Sequence, residues 1–160
     1  MVTAAFPLSP AAPSTASRTL RLYLREAGYE LLRAVRNKGF TFSILGFPVM
    51  FYCLFGVMNK GDGMRGGISI AKYLLGSYAA FGMVGAALFG VGVGLALERT
   101  SGWLELKRAS PMPPFAYLVA RCVMAIAFSL VIVTLLSAIG ILFGGVHLSL
   151  AEFGLSLIHI

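Results

Sequence analysis

The side chains that could carry out acid–base, nucleophilic or metal chemistry are few in this chain and lie far apart. The 160 residues include two histidines, two cysteines and six acidic residues. His147 has no carboxylate or cysteine at the spacing of a metal site, so we favour a histidine in packing or at a membrane interface. Cys53 and Cys122 fall at different depths of two predicted membrane helices, out of disulfide reach. The sequence therefore predicts no catalytic or metal centre.

One glycine motif resembles a nucleotide-binding loop. Gly61, Gly63 and Gly66 match the G-x-G-x-x-G spacing. A dinucleotide site needs a strand before the motif, a helix N-terminus after it and an acidic residue about 20 residues further on. Here an apolar stretch precedes the motif, and residues 73–97 contain no charged side chain. We interpret the motif as a flexible external turn. The chain also has no G-x-x-x-x-G-K-[ST] motif, so we expect it to bind no ATP itself.

The segment with the most varied polar chemistry is residues 98–114, ERTSGWLELKRASPMPP, which lies between two apolar stretches. Its pattern predicts a short helix over residues 103–108, capped by Ser101 or Thr100 and ended by Pro111. A helix of two turns is not stable alone. It needs a partner surface, which is either lipid headgroups or another protein.

The elements that position this segment are those of a membrane protein. Hydrophobic residues make up 58% of the chain and charged residues 12%, against about 25% charged residues in soluble proteins. Three uncharged stretches each reach the ~20 residues that cross a bilayer. We predict spans at about 40–58, 73–97 and 115–147 within a transmembrane region 40–154. The predicted fold class is an all-α membrane protein, in which an amphipathic N-terminal helix precedes three transmembrane helices.

Individual residues within the spans carry further predictions. Pro48 is expected to kink the first span. Arg121 lies in the first turns of the third span, where its long side chain is expected to snorkel to the membrane interface. The second span has small residues at every fourth position, which lets a neighbouring helix approach closely. We call these positions the small-residue ridge: Gly82, Ala86, Gly90 and Gly94. The alternative is that general glycine richness produces this spacing by chance.

The N-terminal region divides into two predicted parts. Residues 1–17 have no Lys or Arg and three prolines, and they are expected to form a disordered tail. Residues 18–39 predict an amphipathic helix, with Ser17 as the N-cap and Gly39 as the stop. Its apolar face is formed by Leu20, Leu24, Ala27, Leu31 and Val35. The helix either lies in the membrane interface, with a second contact to protein, or is a solvated helix that only flanks the membrane.

The positions of the basic residues predict the orientation. Six Lys/Arg precede the first span and four follow the second, counting Arg121, whereas three lie between the first and second spans. Because cytoplasmic loops are enriched in Lys and Arg, we predict a cytoplasmic N-terminus. This asymmetry also explains the formal charge of +7 without a nucleic-acid partner.

The loop after the second span resembles that of the ABC-2 type permeases, the membrane subunits of bacterial ATP-binding-cassette exporters of the daunorubicin-resistance kind. In that family the loop begins E-R-x-x-G-x-L-E and continues into a short basic stretch and a Pro-containing turn. The motif residues here are Glu98, Arg99, Gly102, Leu104 and Glu105, and they are followed by Leu106, Lys107, Arg108, Pro111 and Pro113. Trp103 departs from the pattern, since a small polar residue is common there.

The resemblance implies a function and partners. The chain would be the first half of a six-span permease that exports a substrate. ATP and Mg would be bound by a separate ATPase subunit, and a second permease subunit would complete the path. The helix near Trp103 would be the coupling helix seated on the ATPase, with Glu98 and Arg99 as a polar hinge. The N-terminal helix would lie against lipid, and the protein would be a multi-pass protein of the bacterial plasma (inner) membrane.

Two alternative functions can be weighed against this one. A membrane-embedded enzyme would need clustered catalytic residues, which are missing. A small three-span adaptor or assembly protein explains the hydropathy equally well but leaves the loop motif unexplained.

Residues 155–160, LSLIHI, resemble the translation of sequencing-adapter DNA, so we expect them to be an artefact. A native apolar segment is the other interpretation.

Overall fold

The computed structural model describes residues 15–59, 61, 63–65, 68–109, 113, 115–147, 149, 151, 153 and 154. Within these residues the α-helices are Thr15–Arg36 (α1), Lys38–Phe51 (α2), Ile70–Ala87 (α3), Gly94–Thr100 (α4), Trp103–Ala109 (α5) and Ala116–Leu142 (α6). Two π-helical segments, Tyr52–Val57 and Leu88–Val93, continue α2 and join α3 to α4. Two short strands, Met64–Arg65 (β1) and Ile68–Ser69 (β2), pair antiparallel.

Three of the resulting helices are long and apolar enough to cross a membrane. They are Lys38–Val57 (span one), Ile70–Thr100 (span two) and Ala116–Leu142 (span three). The predicted fold class, an all-α membrane protein with an N-terminal helix before three spans, is confirmed. Span three ends five residues before the predicted limit. There the N–H of Val146 donates to the carbonyl of Gly140 at 3.0 Å, and Gly145 has a φ of 62°, which is a glycine C-cap.

The junction between α1 and span one differs from the prediction. The α1 helix ends at Arg36, and Asn37 caps the next helix by accepting a hydrogen bond from the N–H of Phe40 at 3.2 Å. Gly39 lies inside the first turn of α2, so the expected stop at Gly39 is wrong. Asparagine is among the strongest N-cap residues, and this local bond ends one helix and starts the next within one residue.

Two glycines of the motif, Gly61 and Gly63, lie between span one and the antiparallel hairpin of β1 and β2, and Gly66 lies outside the described residues. Gly61 and Gly63 adopt φ values of 105° and 67°, which only glycine adopts without strain. Ser69 then caps α3 by accepting a hydrogen bond from the N–H of Lys72 at 3.3 Å. No long strand precedes the motif, as a dinucleotide site would require, within the described residues.

The core of the bundle lies along one face of α6, which packs mainly against α1 and α3. The buried residues of this face recur every fourth position: Met124, Phe128, Ile132 and Leu136. Tyr52 of span one is fully buried, and Phe40 packs edge-on against Phe128 with the ring centroids 5.5 Å apart. By contrast, large apolar side chains cover the outer surface of the spans, among them Phe42, which is 80% exposed. Such a surface matches lipid rather than water.

Candidate functional site

The candidate site lies at the end of the bundle where span two leaves it and span three begins. It has two parts. One is the exposed helix α5, which follows span two after a turn. The other is a buried ring of four charged side chains, Glu30, Arg33, Glu98 and Arg121, which we call the charge ring.

Helix α5 is held at the end of span two by a tight turn. Ser101 ends α4: its N–H and its hydroxyl donate to the carbonyl of Leu97 at 3.1 and 2.8 Å. Gly102 has a φ of 76°, and its carbonyl accepts the N–H of Glu105 and Leu106. The expected cap by the side chain of Ser101 or Thr100 is therefore wrong, because both hydroxyls donate back to Leu97 of the preceding helix. A glycine turn starts α5 instead.

The face of α5 that the structure describes is apolar and uncovered. Trp103 is 56% exposed and Leu106 64% exposed, and the acidic Glu105 between them is exposed too. Arg99, one turn before α5, is also exposed. A two-turn helix with this surface is not stable in isolation. The side chains of Leu104, Lys107 and Arg108, and the whole of Pro111, lie outside the described residues.

The charge ring closes on itself through four contacts. The guanidinium of Arg121 lies 2.7 Å from Glu98 Oε1 through Nη2 and 3.2 Å from Glu30 Oε1 through Nε. Arg33 Nη1 donates to Glu98 Oε1 at 2.5 Å and lies 3.8 Å from Glu30 Oε2. Two cations and two anions thus alternate around the ring. Because its charges balance, the ring can lie at the edge of an apolar bundle.

Three of the four ring members are buried. Glu30, Glu98 and Arg121 are 3–6% exposed, whereas the side chain of Arg33 is 60% exposed. The hydrogen bond to Glu98 raises the pKa of Arg33 above its usual value, and the nearby Glu30 carboxylate acts in the same direction. Removing one member of such a buried set leaves an uncompensated charge, which is strongly destabilising. Arg33 is the exception, since water can replace it.

The backbone of span two is shaped to receive Arg121. Nη1 of Arg121 donates to the carbonyl of Gly90 at 2.8 Å, and Gly90 lies in the π-helical segment Leu88–Val93. One turn later, a Cβ at Gly94 would collide with the Arg121 guanidinium. The expectation that Arg121 snorkels to the membrane interface is therefore wrong. Its side chain points into the protein, where Glu98 and the carbonyl of Gly90 contact the two terminal guanidinium nitrogens and Glu30 lies within ion-pair distance of Nε.

The remaining ridge positions face the other two spans. A Cβ at Gly82 would lie 2.8 Å from Ile132 Cγ2 of α6 and 2.9 Å from Pro48 Cγ of α2. Ala86 is fully buried. At Gly90 the nearest side-chain atom would be Met124 Cε at 3.0 Å. Gly82 and Gly90 thus lie where side chains of spans one and three pack against span two.

The sequence did not point to Glu30 and Arg33 as site residues, although it did single out Glu98. Glu98 was expected to form a polar hinge with Arg99 where span two leaves the membrane, and the structure places its side chain inward, against Arg33 and Arg121. The available signal was Arg121, a cation inside an otherwise apolar stretch, which requires an acidic partner if it does not reach water. Which acidic residue meets it depends on how α1 folds back, and local periodicity does not encode this.

A cleft of about 370 Å³ opens beside the charge ring. Both parts of the site contribute to its walls, the charge ring through Arg33 and Glu98 and α5 through Trp103. The other lining residues come from α1, the start of span one, the end of span two and the start of span three. Among the described residues, no group of three or more His, Cys, Asp or Glu side chains could hold a metal ion. Cys53 and Cys122 are free and exposed.

Comparison with known proteins identifies a matching family and a similar curated protein, but no matching solved structure. The sequence model of the family described as "ABC-2 type transporter" matches residues 27–160. A protein of Bacillus subtilis (strain 168) named as transport permease YvfS is 28% identical over 128 residues, which are 79% of this chain and 51% of that protein. The chain thus spans about half the length of the curated relative it matches. No solved structure matches the chain.

Proposed function

The chain belongs to the ABC-2 type transporter family, and we propose that it is part of a permease subunit whose transport is driven by a separate ATPase. It is a multi-pass membrane protein by family and by its three apolar spans. The proposed direction of transport is export, and the proposed location is the bacterial plasma membrane. A second permease subunit and membrane lipid are the further proposed partners.

The proposed coupling role rests on one observation, namely that the apolar surface of α5 at the end of span two is exposed. Trp103 and Leu106 have no covering partner within the described part of the chain and are more than half exposed. Aromatic side chains of this kind anchor protein interfaces. This loop and the N-terminal region would lie on the same side of the membrane, and together their Lys and Arg residues outnumber the three of the hairpin loop, which supports a cytoplasmic position where an ATPase could reach α5.

The mechanism that follows is a rigid-body one. Closure of the ATPase subunits on ATP displaces α5, and α5 is joined to span two by the short turn at Ser101 and Gly102. Span two then moves relative to its neighbours, which biases the permease between inward-facing and outward-facing states. The chain needs no catalytic residue for this step, because the ATPase would supply the hydrolysis.

The test uses the full-length permease with its ATPase. We expect Trp103→Ala to weaken ATPase binding about 30-fold, the equivalent of the ~2 kcal/mol that a buried aromatic anchor contributes. Glu105→Lys should weaken it through reversed charge. Phe143→Ala is the matched control, since Phe143 is 61% exposed but lies at the opposite end of span three.

Membrane levels, co-purification with the ATPase and transport are the three measurements. All three variants should reach the membrane normally, and only the two α5 variants should lose association or transport. Normal association and transport in both α5 variants would contradict the coupling role. They would favour the alternative function, a three-span adaptor or assembly protein without transport activity.

A further inference from the structure

We propose that Arg121 is a positioning residue that clamps α1 and the α5 end of span two onto span three. Through the charge ring, a displacement of α5 would then move these three elements as one unit. The proposal rests on the proposed function, because α5 is where the ATPase would act. It adds a specific route by which that displacement reaches the transmembrane helices.

The connectivity of Arg121 is the first support. Its guanidinium contacts three separate parts of the chain: Glu30 on α1, Glu98 on α4 and the carbonyl of Gly90 in the π-helical segment. Arg121 itself belongs to the second turn of α6. Arg33 then joins α1 to Glu98 a second time. Glu98 has the same kind of connectivity, since it belongs to α4 and pairs with Arg33 on α1 and with Arg121 on α6.

The second support is the local backbone structure of span two next to the Arg121 side chain. A π-helical turn shifts the backbone hydrogen bonds from their usual partners, and such turns are frequent at functional sites. The π-helical segment of span two presents the Gly90 carbonyl to Arg121 at 2.8 Å. The absence of a side chain at Gly94 leaves room for the guanidinium. Span two therefore accommodates the Arg121 guanidinium in two ways, through the carbonyl of Gly90 and through the absence of a side chain at Gly94.

The third support is the short path from α5 to the ring. Glu98 lies three residues before Ser101, where the turn into α5 begins, and two hydrogen bonds to Leu97 fix that turn to α4. A displacement of α5 is therefore transmitted to Glu98 through a short turn that hydrogen bonds hold in place. Because Glu98 is bound to both arginines, the same movement acts on α1 and on α6.

Stability alone does not require this arrangement. Replacing a complete buried ionic network with neutral residues of similar volume is often neutral or stabilising, whereas removing one member is strongly destabilising. The combined variant Glu30→Gln/Glu98→Gln/Arg121→Met therefore separates the two roles. It keeps the volume and removes the buried charges, so the protein should fold and reach the membrane while the clamp is lost.

A second variant disturbs the clamp without changing any charge. Gly94→Ala places a methyl group against the Arg121 guanidinium and should displace it. Gly92→Ala is the matched control on the same helix, since its Cβ would meet only Leu88 Cδ1 at 3.9 Å, an ordinary contact. If the combined variant fails to assemble, Gly94→Ala against Gly92→Ala still decides the question.

Two measurements are made on the full-length permease with its ATPase. The first is substrate transported per ATP hydrolysed. The second is the distance distribution between spin labels at Arg25→Cys on α1 and Ala109→Cys on α5, with Cys53 and Cys122 replaced by Ser. In the combined variant and in Gly94→Ala, we expect ATPase binding to persist and the distribution to broaden. Transport per ATP should fall by about fivefold or more, the lower end of ordinary coupling between sites. Gly92→Ala should match the parent.

The outcomes separate this proposal from the proposed function. An unchanged distance distribution overturns the clamp, whatever the transport rate. A broadened distribution with unchanged transport per ATP overturns its role in transmission. The distance measurement is also repeated on the full-length permease without its ATPase, where its result does not depend on the coupling role. The Trp103→Ala test can therefore contradict the coupling role without affecting the test of the clamp.

Discussion

Gly82 is the ridge position where an added methyl group should do most damage. Its Cβ would lie 2.8 Å from Ile132 Cγ2 and 2.9 Å from Pro48 Cγ, both closer than side-chain carbons normally approach. Ile132 and Pro48 are both fully buried, and the proline ring cannot rotate away. The change Gly82→Ala therefore forces span two away from span one and span three together.

The size of the effect follows from two opposing contributions. Overpacking a well-packed core costs about 1–3 kcal/mol, and the rigid neighbours favour the upper part of that range. Alanine recovers up to about 1 kcal/mol of helix propensity relative to glycine. We therefore expect Gly82→Ala to lower the free energy of unfolding by about 1–2 kcal/mol.

Two further glycines of span two calibrate this prediction. Gly90→Ala should cost less than Gly82→Ala, because its Cβ would meet the flexible end of Met124 at 3.0 Å. Gly85→Ala should be neutral or slightly stabilising, because its Cβ would lie 4.0 Å from Ile44 Cδ1. Denaturant or thermal unfolding of the full-length permease in detergent should give this order. Equal stability of the Gly82 and Gly85 variants would refute the reasoning and leave the ridge as a feature of composition.

Two other predictions concern Tyr52 and the topology. The buried hydroxyl of Tyr52 has no hydrogen-bond partner among the described residues. Tyr52→Phe should therefore leave the free energy of unfolding unchanged or raise it by up to about 1 kcal/mol. A lower free energy of unfolding in the same assay would show that the hydroxyl is paired. With Cys53 and Cys122 replaced by Ser, a cysteine at Met64 should react with an impermeant thiol reagent in intact cells, and one at Ala109 should not. The reverse pattern would invert the orientation.

The spans and the loop helix could be predicted because their signals are local. The length of the uncharged stretches determines what can cross a bilayer. Prolines 111 and 113 and the mixed charges set α5 apart from the spans. The helix ends were less accurate, since each depends on one capping bond. Asn37 starts span one earlier than a count of uncharged residues implies, and the glycine cap at Gly145 ends span three before His147.

The charge ring could not be predicted because it depends on tertiary pairing. The sequence shows Glu30 and Arg33 on a helix with several other charges, and nothing local separates them from Arg25 or Glu26. Only when α1 packs along α6 does Glu30 reach Arg121 at 3.2 Å. The pattern also could not reveal that span two carries a π-helical segment at Gly90, since π-turns have no simple periodicity.

The charge ring also links the topology to the coupling role. Glu30 precedes span one and Glu98 ends span two, and both bind Arg121 at the start of span three. These two contacts require α1, α5 and the start of span three to lie on the same side of the membrane. The side that bears α1 therefore also bears the exposed Trp103. If labelling places Ala109 outside the cell, the ring and α5 move outside together, and an intracellular ATPase cannot reach α5. The orientation test is thus also a test of the coupling role.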